Sequence, residues 1–276
     1  MRRVGIIICM AVGLLLNPDA GQAQVIVPSF ESSLIPGGVG IIVGLSDEGS
    51  IGLADGRELV LDDIVLPLKP LNYNIDTDWP LGRALEDAIL AFGGDRPVSL
   101  FSLPRAADRY GRSPVYLEQD GRWLQKELLR SGFARLAVEV SRAHEEFWQA
   151  EDEARRKRLG LWRHPAFKVR CAHEVRFYET GYEIIQGQVK DVAQVRNIIY
   201  LNFGDDWRED FTVRVLVKRG GNEAELSYEV LKNLEGHQIE VRGWLFAAGG
   251  PMIEATFPGQ IRLTSRMTPD LITGCS

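Results

Sequence analysis

A chain of 276 residues is long enough for one large or two modest domains, each with its own core. With 45% hydrophobic and 25% charged residues, it has too much to bury to be disordered in bulk. A formal net charge of −6 excludes the overall basic footprint of a general nucleic-acid binder, leaving only a local basic patch open.

The chain starts like a targeting segment. Met1-Arg2-Arg3 is a short cationic stretch, Val4 to Leu16 is apolar, and Gly21 and Ala23 offer a small-residue cleavage site after Ala23. The apolar run is short for a spanning helix. Cys9 lies inside it without the residue pattern that precedes a lipidated cysteine. Residues 1–23 are therefore expected to be a signal peptide for a periplasmic or secreted protein, with no transmembrane segment in the mature chain. An uncleaved N-terminal anchor is the alternative.

From Val39 to Leu66 the pattern is β. Asp55-Gly56 sits between apolar alternations and suits a tight hairpin turn. The next arm, Leu59–Leu61 and Ile64–Leu66, reads as buried, and Asp62 and Asp63 inside it read as an exposed strand end rather than a catalytic pair. Trp79 to Phe92 places Leu81, Leu85, Ala88, Ile89 and Phe92 on one helical face, with Pro80 in the first turn and Gly93-Gly94 as the stop. "PVSLFSL" and the end of "ADRYGRSPVYL" read as strands, Trp123 to Ser131 as a short helix stopped by Gly132, and "FARLAVEV" as extended. A longer helix, capped by Ser141, runs to Arg158 with Ala143, Phe147, Ala150 and Ala154 on its apolar face. The basic run "RRKR" at its end suits the negative pole of the helix dipole; a nucleic-acid patch is the competing reading.

A boundary falls near "RHPAFKVRC". Beyond it come six strand-like runs with one short helical stretch, "LSYEVLKNL", which suggests a small closed OB-type barrel. Cys171 and Cys275 remain after cleavage. An oxidising compartment permits a bridge between them, and closing a loop of about 100 residues contributes on the order of 4 kcal/mol; two unpaired thiols are the alternative. There is no C-x-x-C, and His144, His164, His173 and His237 form no H-x-x-x-H, so no metal site is indicated.

Several landmarks recur in one order: Asp108, Tyr110-Gly111-Arg112, Asp120-Gly121, Leu128, Gly132, Ala134, Glu151, Ala154 and Gly160-Leu161-Trp162. Together with the β-rich start, they make the chain from about Gly38 to Trp162 resemble the staphylococcal-nuclease-like, or thermonuclease, family. The resemblance implies a five-stranded OB-type barrel with packed helices, and in active members a calcium-dependent phosphodiesterase of DNA and RNA. Such chemistry needs hard carboxylate oxygens for calcium, a general base, and forked guanidinium donors for the phosphate.

Carried over residue by residue, the resemblance places the second arginine on Arg112, which is present. The family's strand "R-L-x-G-I-x-x-P" reads "VLDDIVLP" here. Its arginine falls on Val60, a metal aspartate on Val65, a neighbouring Thr or Ala on Leu66, its proline on Pro67, and the base after it on Leu68. The upstream "D-G-D-T" loop reads "DEGS", keeping Asp47 but putting Gly49 at a metal aspartate and Ser50 at the threonine. Arg112 is thus the only one of the four strongest catalytic positions retained, and a structural role for it is equally open. A substitute metal site from Asp47, Glu48, Asp62 and Asp63 requires a register slip, which turns strand side chains to the other face.

"YLNFGDDWREDFTVRV", "VRGWL" and "GPMIEATFPGQIRL" resemble the C-terminal OB-type extension of some bacterial thermonuclease-family proteins, over about Gln186 to Leu263. Tyr200, Phe203, Trp207, Arg208 and Phe211 are either a base-stacking platform or partly core, beside phosphate-repelling Asp205, Asp206, Glu209 and Asp210.

The expectation is a β-rich α+β chain with two OB-type barrels in tandem: residues 1–23 a signal peptide, 38–165 a nuclease-like domain and 170–266 a second barrel. Its nuclease pocket reads as degenerate, which leans against an enzyme and towards a binding or structural module without a cofactor. The alternative is an active nuclease with a rearranged site, for which calcium would be required. A single-stranded nucleic acid and an envelope protein are the partners considered.

Overall fold

The computed structural model describes residues 33–69, 79, 81–104, 114–138, 145–176, 179–206, 208–217 and 226–275. The expected signal peptide, Pro80, Asp108, Tyr110, Gly111, Arg112, Ser141, Ala143, His144 and Trp207 lie outside the described residues.

The first half contains β1 (Ile35–Gly40), β2 (Ile42–Leu45), β3 (Ile51–Leu53), β4 (Glu58–Leu59), β5 (Ile64–Val65), α1 (Gly82–Gly93), β6 (Val98–Ser102), β7 (Tyr116–Gln119), β8 (Arg122–Trp123), α2 (Leu124–Ser131), β9 (Arg135–Leu136) and α3 (Glu145–Arg156). The second contains β10 (Arg170–Cys171), β11 (Gly181–Gln188), β12 (Asp191–Val195), β13 (Ile198–Asn202), β14 (Thr212–Leu216), α4 (Tyr228–Lys232), β15 (Gln238–Ala247), β16 (Pro251–Ala255) and β17 (Ile261–Leu263).

Both halves close in the same way. β1 and β2 act as one bent strand, pairing with β6 and β3 in turn. β3 pairs β4, and the chain just after β4 meets β7 through a parallel bridge between Leu61 and Val115. β7 returns to β6, completing the circuit. In the second half β11 pairs β15, while β12, two residues later, pairs β13. From there β13 pairs β14, β14 runs parallel to β16, and β16 pairs β15. A bent first strand, a parallel third–fifth pair, and a helix before the fourth strand (α1, α4) are common to both, an OB-type arrangement.

The alternation that closes each barrel also fills it. Ile42, Ile51, Leu53, Leu59 and Leu61 point inward with Val98, Leu100 and Leu117, and α1 covers them with Leu85, Ile89 and Phe92. Ile185, Ile199, Leu201, Val213, Val215, Ile239, Val241 and Ile253 fill the second barrel. The Asp55-Gly56 turn forms as expected, with Gly56 at φ 87° and its N–H donated to Leu53 O at 2.9 Å.

Three local expectations change. α1 starts at Gly82, not Trp79: the Trp79 indole instead donates to Pro67 O at 2.7 Å and packs against His164 and Phe167. Of "FARLAVEV", only Arg135–Leu136 is a strand among the described residues. In "RRKR", Arg156, Lys157 and Arg158 are exposed, but Arg155 is buried, and α3 ends at Arg156. Cys171 and Cys275 form a disulfide across 104 residues, with Cα atoms 5.3 Å apart.

Candidate functional site

The first candidate is the wall of the first barrel where the resemblance places its catalytic positions. The turn Ser46–Ser50 is closed by Ser46 N–H to Ser50 O at 2.8 Å and Gly49 N–H to Ser46 O at 3.0 Å. Gly49 takes φ 84°, and a Cβ there would lie 3.0 Å from Leu68 Cδ1. Gly49 and Leu68 are thus brought together, with a leucine side chain against the glycine. Asp47 and Glu48 on the same turn are exposed. Val60 is half-buried, its carbonyl accepting from Val115 N–H at 2.8 Å. Val65 packs elsewhere, with Ala137, Tyr182 and Ile184, a cluster that includes β11 of the second barrel.

Asp62 and Asp63 correct the expectation of an exposed strand end, for both are buried. The reason is topological. Up to Asp62 the chain lies along Val115, with Asp62 N–H donating to Val115 O at 2.9 Å. At Ile64 it has changed partner and pairs with Leu136 of β9. Asp63 makes this bend at φ 56°, a left-handed conformation that Asp tolerates better than most residues, and it stands where the family pattern has glycine. Its N–H donates to Asp62 Oδ1 at 2.8 Å, and Tyr116 Oη donates to its Oδ2 at 2.5 Å. Among the described residues, no group of three His, Cys, Asp or Glu side chains is arranged to hold a metal.

The second candidate, absent from the sequence reading, is a buried ionic network between the barrels. Glu151 of α3 accepts Leu136 N–H at 2.7 Å and Arg242 Nη1 at 2.9 Å. Arg242, 1% exposed, also donates to Leu136 O at 3.0 Å and to Glu240 at 2.9 Å. Glu240 receives Arg155 through both oxygens at 3.2 and 2.8 Å, and Gln186 at 2.8 Å. Arg262 clamps Asp152 at 3.3 and 3.0 Å. Trp148 carries the guanidiniums of Arg242 and Arg262 at 4.2 and 4.1 Å from its ring. Burial alone would push the Glu240 carboxyl up, but Arg155 and Arg242 outweigh it and hold it well below the usual range. Burial likewise lowers Arg242, yet Glu151 and Glu240 keep it above its ordinary value. Each of these charges has an opposite partner across the two barrels, while Arg242 Nε is buried without a hydrogen-bond partner among the described residues. The i, i+4 spacing of Glu151 and Arg155 was its only sequence trace.

Of the two readings of the Tyr200–Phe211 run, the partly-core one fits the described residues better than a stacking platform. Phe211 is buried and contacts Phe203 at 5.0 Å between ring centroids, while Tyr200 is half-buried on β13 and Arg208 is exposed. Asp206 and Asp210 turn inward on their own loop, Asp210 Oδ2 accepting Asp206 N–H at 2.8 Å.

Comparison with known families matches residues 95–164 to the staphylococcal nuclease homologue family. The match spans β6 to α3 and the turn after it; it begins after Gly49, Val60, Val65 and Leu68. No curated protein matches the chain. Over residues 95–164 the chain is therefore similar to the staphylococcal nuclease homologue domain.

Proposed function

We propose that this is an exported thermonuclease-like protein whose nuclease pocket has lost its metal chemistry and which serves as a binding or structural module. The observation that carries the reading is the contact of Leu68 with Gly49. These are the positions the resemblance assigns to a general base and a metal ligand, and an apolar side chain fills the space between them. Calcium takes six to eight oxygen ligands. Gly49 and Val65, at the two metal positions, supply no side-chain oxygen, so the residues present do not fit a calcium site there. Arg112 alone, without metal or base, supplies little of the rate enhancement. Export rests on the cationic and apolar start of the sequence, and the Cys171–Cys275 disulfide suits an oxidising compartment.

The second reading, a rearranged metal-dependent phosphodiesterase, draws on the buried pair Asp62 and Asp63. Against it, Asp63 is held by Tyr116 and serves the bend between two strand partners. Calorimetric titration of the full chain with calcium separates the two. No saturable heat up to millimolar calcium is expected; a saturable site would overturn the proposal.

A further inference from the structure

One outer face of the second barrel carries a row of aromatic and paired polar side chains that the nuclease reading does not use. The strand registers set Tyr182 of β11 opposite Trp244 of β15, and Tyr200 of β13 opposite Arg214 of β14, itself opposite Glu254 of β16. Tyr182, which is buried, together with Trp244, Arg214 and Glu254, but not Tyr200, lines a groove of about 500 Å³ shared with Val138 and Phe246, a size suited to a small organic ligand. Trp244 is 57% exposed, unusual for the largest aromatic side chain, and meets Tyr182 edge-on at 5.8 Å. Arg214 lies over the Phe246 ring at 5.1 Å, a cation–π contact at the groove wall.

The charge of this face decides what it can take. Arg214 and Glu254 are the charged residues among the described lining, and they form an ion pair. Arg214 directs Nε and Nη2 to the same carboxylate oxygen, Glu254 Oε2. Among the described residues Arg214 Nη1 donates no hydrogen bond and Glu254 Oε1 accepts none, so a donor and an acceptor stand side by side on an electrically neutral wall. OB-type barrels bind oligonucleotides or oligosaccharides on the face of their second and third strands; this groove lies instead on β11, β14, β15 and β16. A nucleic-acid strand needs surplus cations to replace its counterions, and this wall has none. A sugar ring needs the reverse: an aromatic surface for its apolar C–H face, and adjacent donors and acceptors for hydroxyls that both give and accept hydrogen bonds.

We propose that this groove binds a neutral oligosaccharide, with Trp244 as the stacking surface and Arg214 and Glu254 as the hydroxyl-binding pair. The site is independent of the nuclease pocket, so its failure would leave the reading of that pocket untouched. The test titrates the full chain with hexaoses of glucose and of N-acetylglucosamine, read by tryptophan fluorescence and calorimetry, beside a single-stranded oligothymidylate at low salt. At least one hexaose is expected to bind saturably, with affinity little changed by salt. Trp244→Ala should weaken it at least tenfold and Glu254→Gln several-fold, both with an unchanged circular dichroism spectrum. Trp244→Phe, which retains a stacking ring, should recover part of the affinity and guards against a folding effect of the alanine variant. Absence of hexaose binding, binding unaffected by Trp244→Ala, or salt-sensitive binding of the oligothymidylate alone would overturn the proposal.

Discussion

Replacing Glu151 by alanine should destabilise both barrels at once. The variant removes the acceptor of Leu136 N–H at 2.7 Å, leaving a buried donor unmet at a cost of about 1–3 kcal/mol. It also takes from Arg242 one of its two carboxylates, and breaking a buried pair costs about 3–5 kcal/mol. Since Arg242 keeps Glu240, the two losses together should come to roughly 4 kcal/mol. For a chain of this size that lowers Tm by roughly 8–16 °C. Calorimetric melting of the full chain measures it. Glu151→Gln, which retains an acceptor for Leu136 N–H, should lose less. In the double variant with Arg242→Met, the losses should fall short of their sum by at least about 1 kcal/mol, because the charge left uncompensated has gone too. A Glu151→Ala protein that melts within 2 °C of the parent, or strictly additive losses, would refute the reasoning.

Other outcomes follow from the same structure. Glu240 has its pKa depressed in the fold, so its stabilisation is complete above the unfolded value of about 4.3 and is lost as pH falls below it towards the folded pKa. Denaturant midpoints should show no Glu240-linked change between pH 7 and pH 5, and the acid-side fall should be shallower in Glu240→Gln; identical slopes would contradict this. Removing the disulfide with Cys171→Ser and Cys275→Ser, across 104 residues, should cost roughly 4–5 kcal/mol in urea unfolding. An unchanged midpoint would count against a loop-closure contribution. Gly132→Ala should cost at least about 1 kcal/mol, since φ is 74° and the new Cβ would stand 2.4 Å from Leu159 O; melting at the parental temperature would show that the backbone yields freely there.

The barrels were legible because alternation and turn chemistry are local signals. The Asp55-Gly56 hairpin, the inward row Leu59, Leu61 and Ile64, and the strands β11–β17 that the six strand-like runs of the second half contain all follow from them. What escaped needed partners distant in sequence. Asp62 and Asp63 look like a surfacing strand until Tyr116, 53 residues beyond Asp63, closes over the bend. Arg155 looks like one more cation at a helix end until Glu240, 85 residues on, receives it. Phe203 and Phe211, weighed as platform or core, meet each other, with Phe203 N–H donating to Phe211 O, whereas Trp244, read only as part of a strand, stands exposed. Resemblance assigned two of the compared positions to Gly49 and Leu68, and packing added that the Leu68 side chain lies against Gly49.

Loss of nuclease chemistry is tested most directly by incubating the purified full chain, in excess over a fluorescent single-stranded DNA, with calcium or with chelator. No calcium-dependent cleavage is predicted over hours. Cleavage that needs calcium and disappears in Arg112→Ala would contradict it.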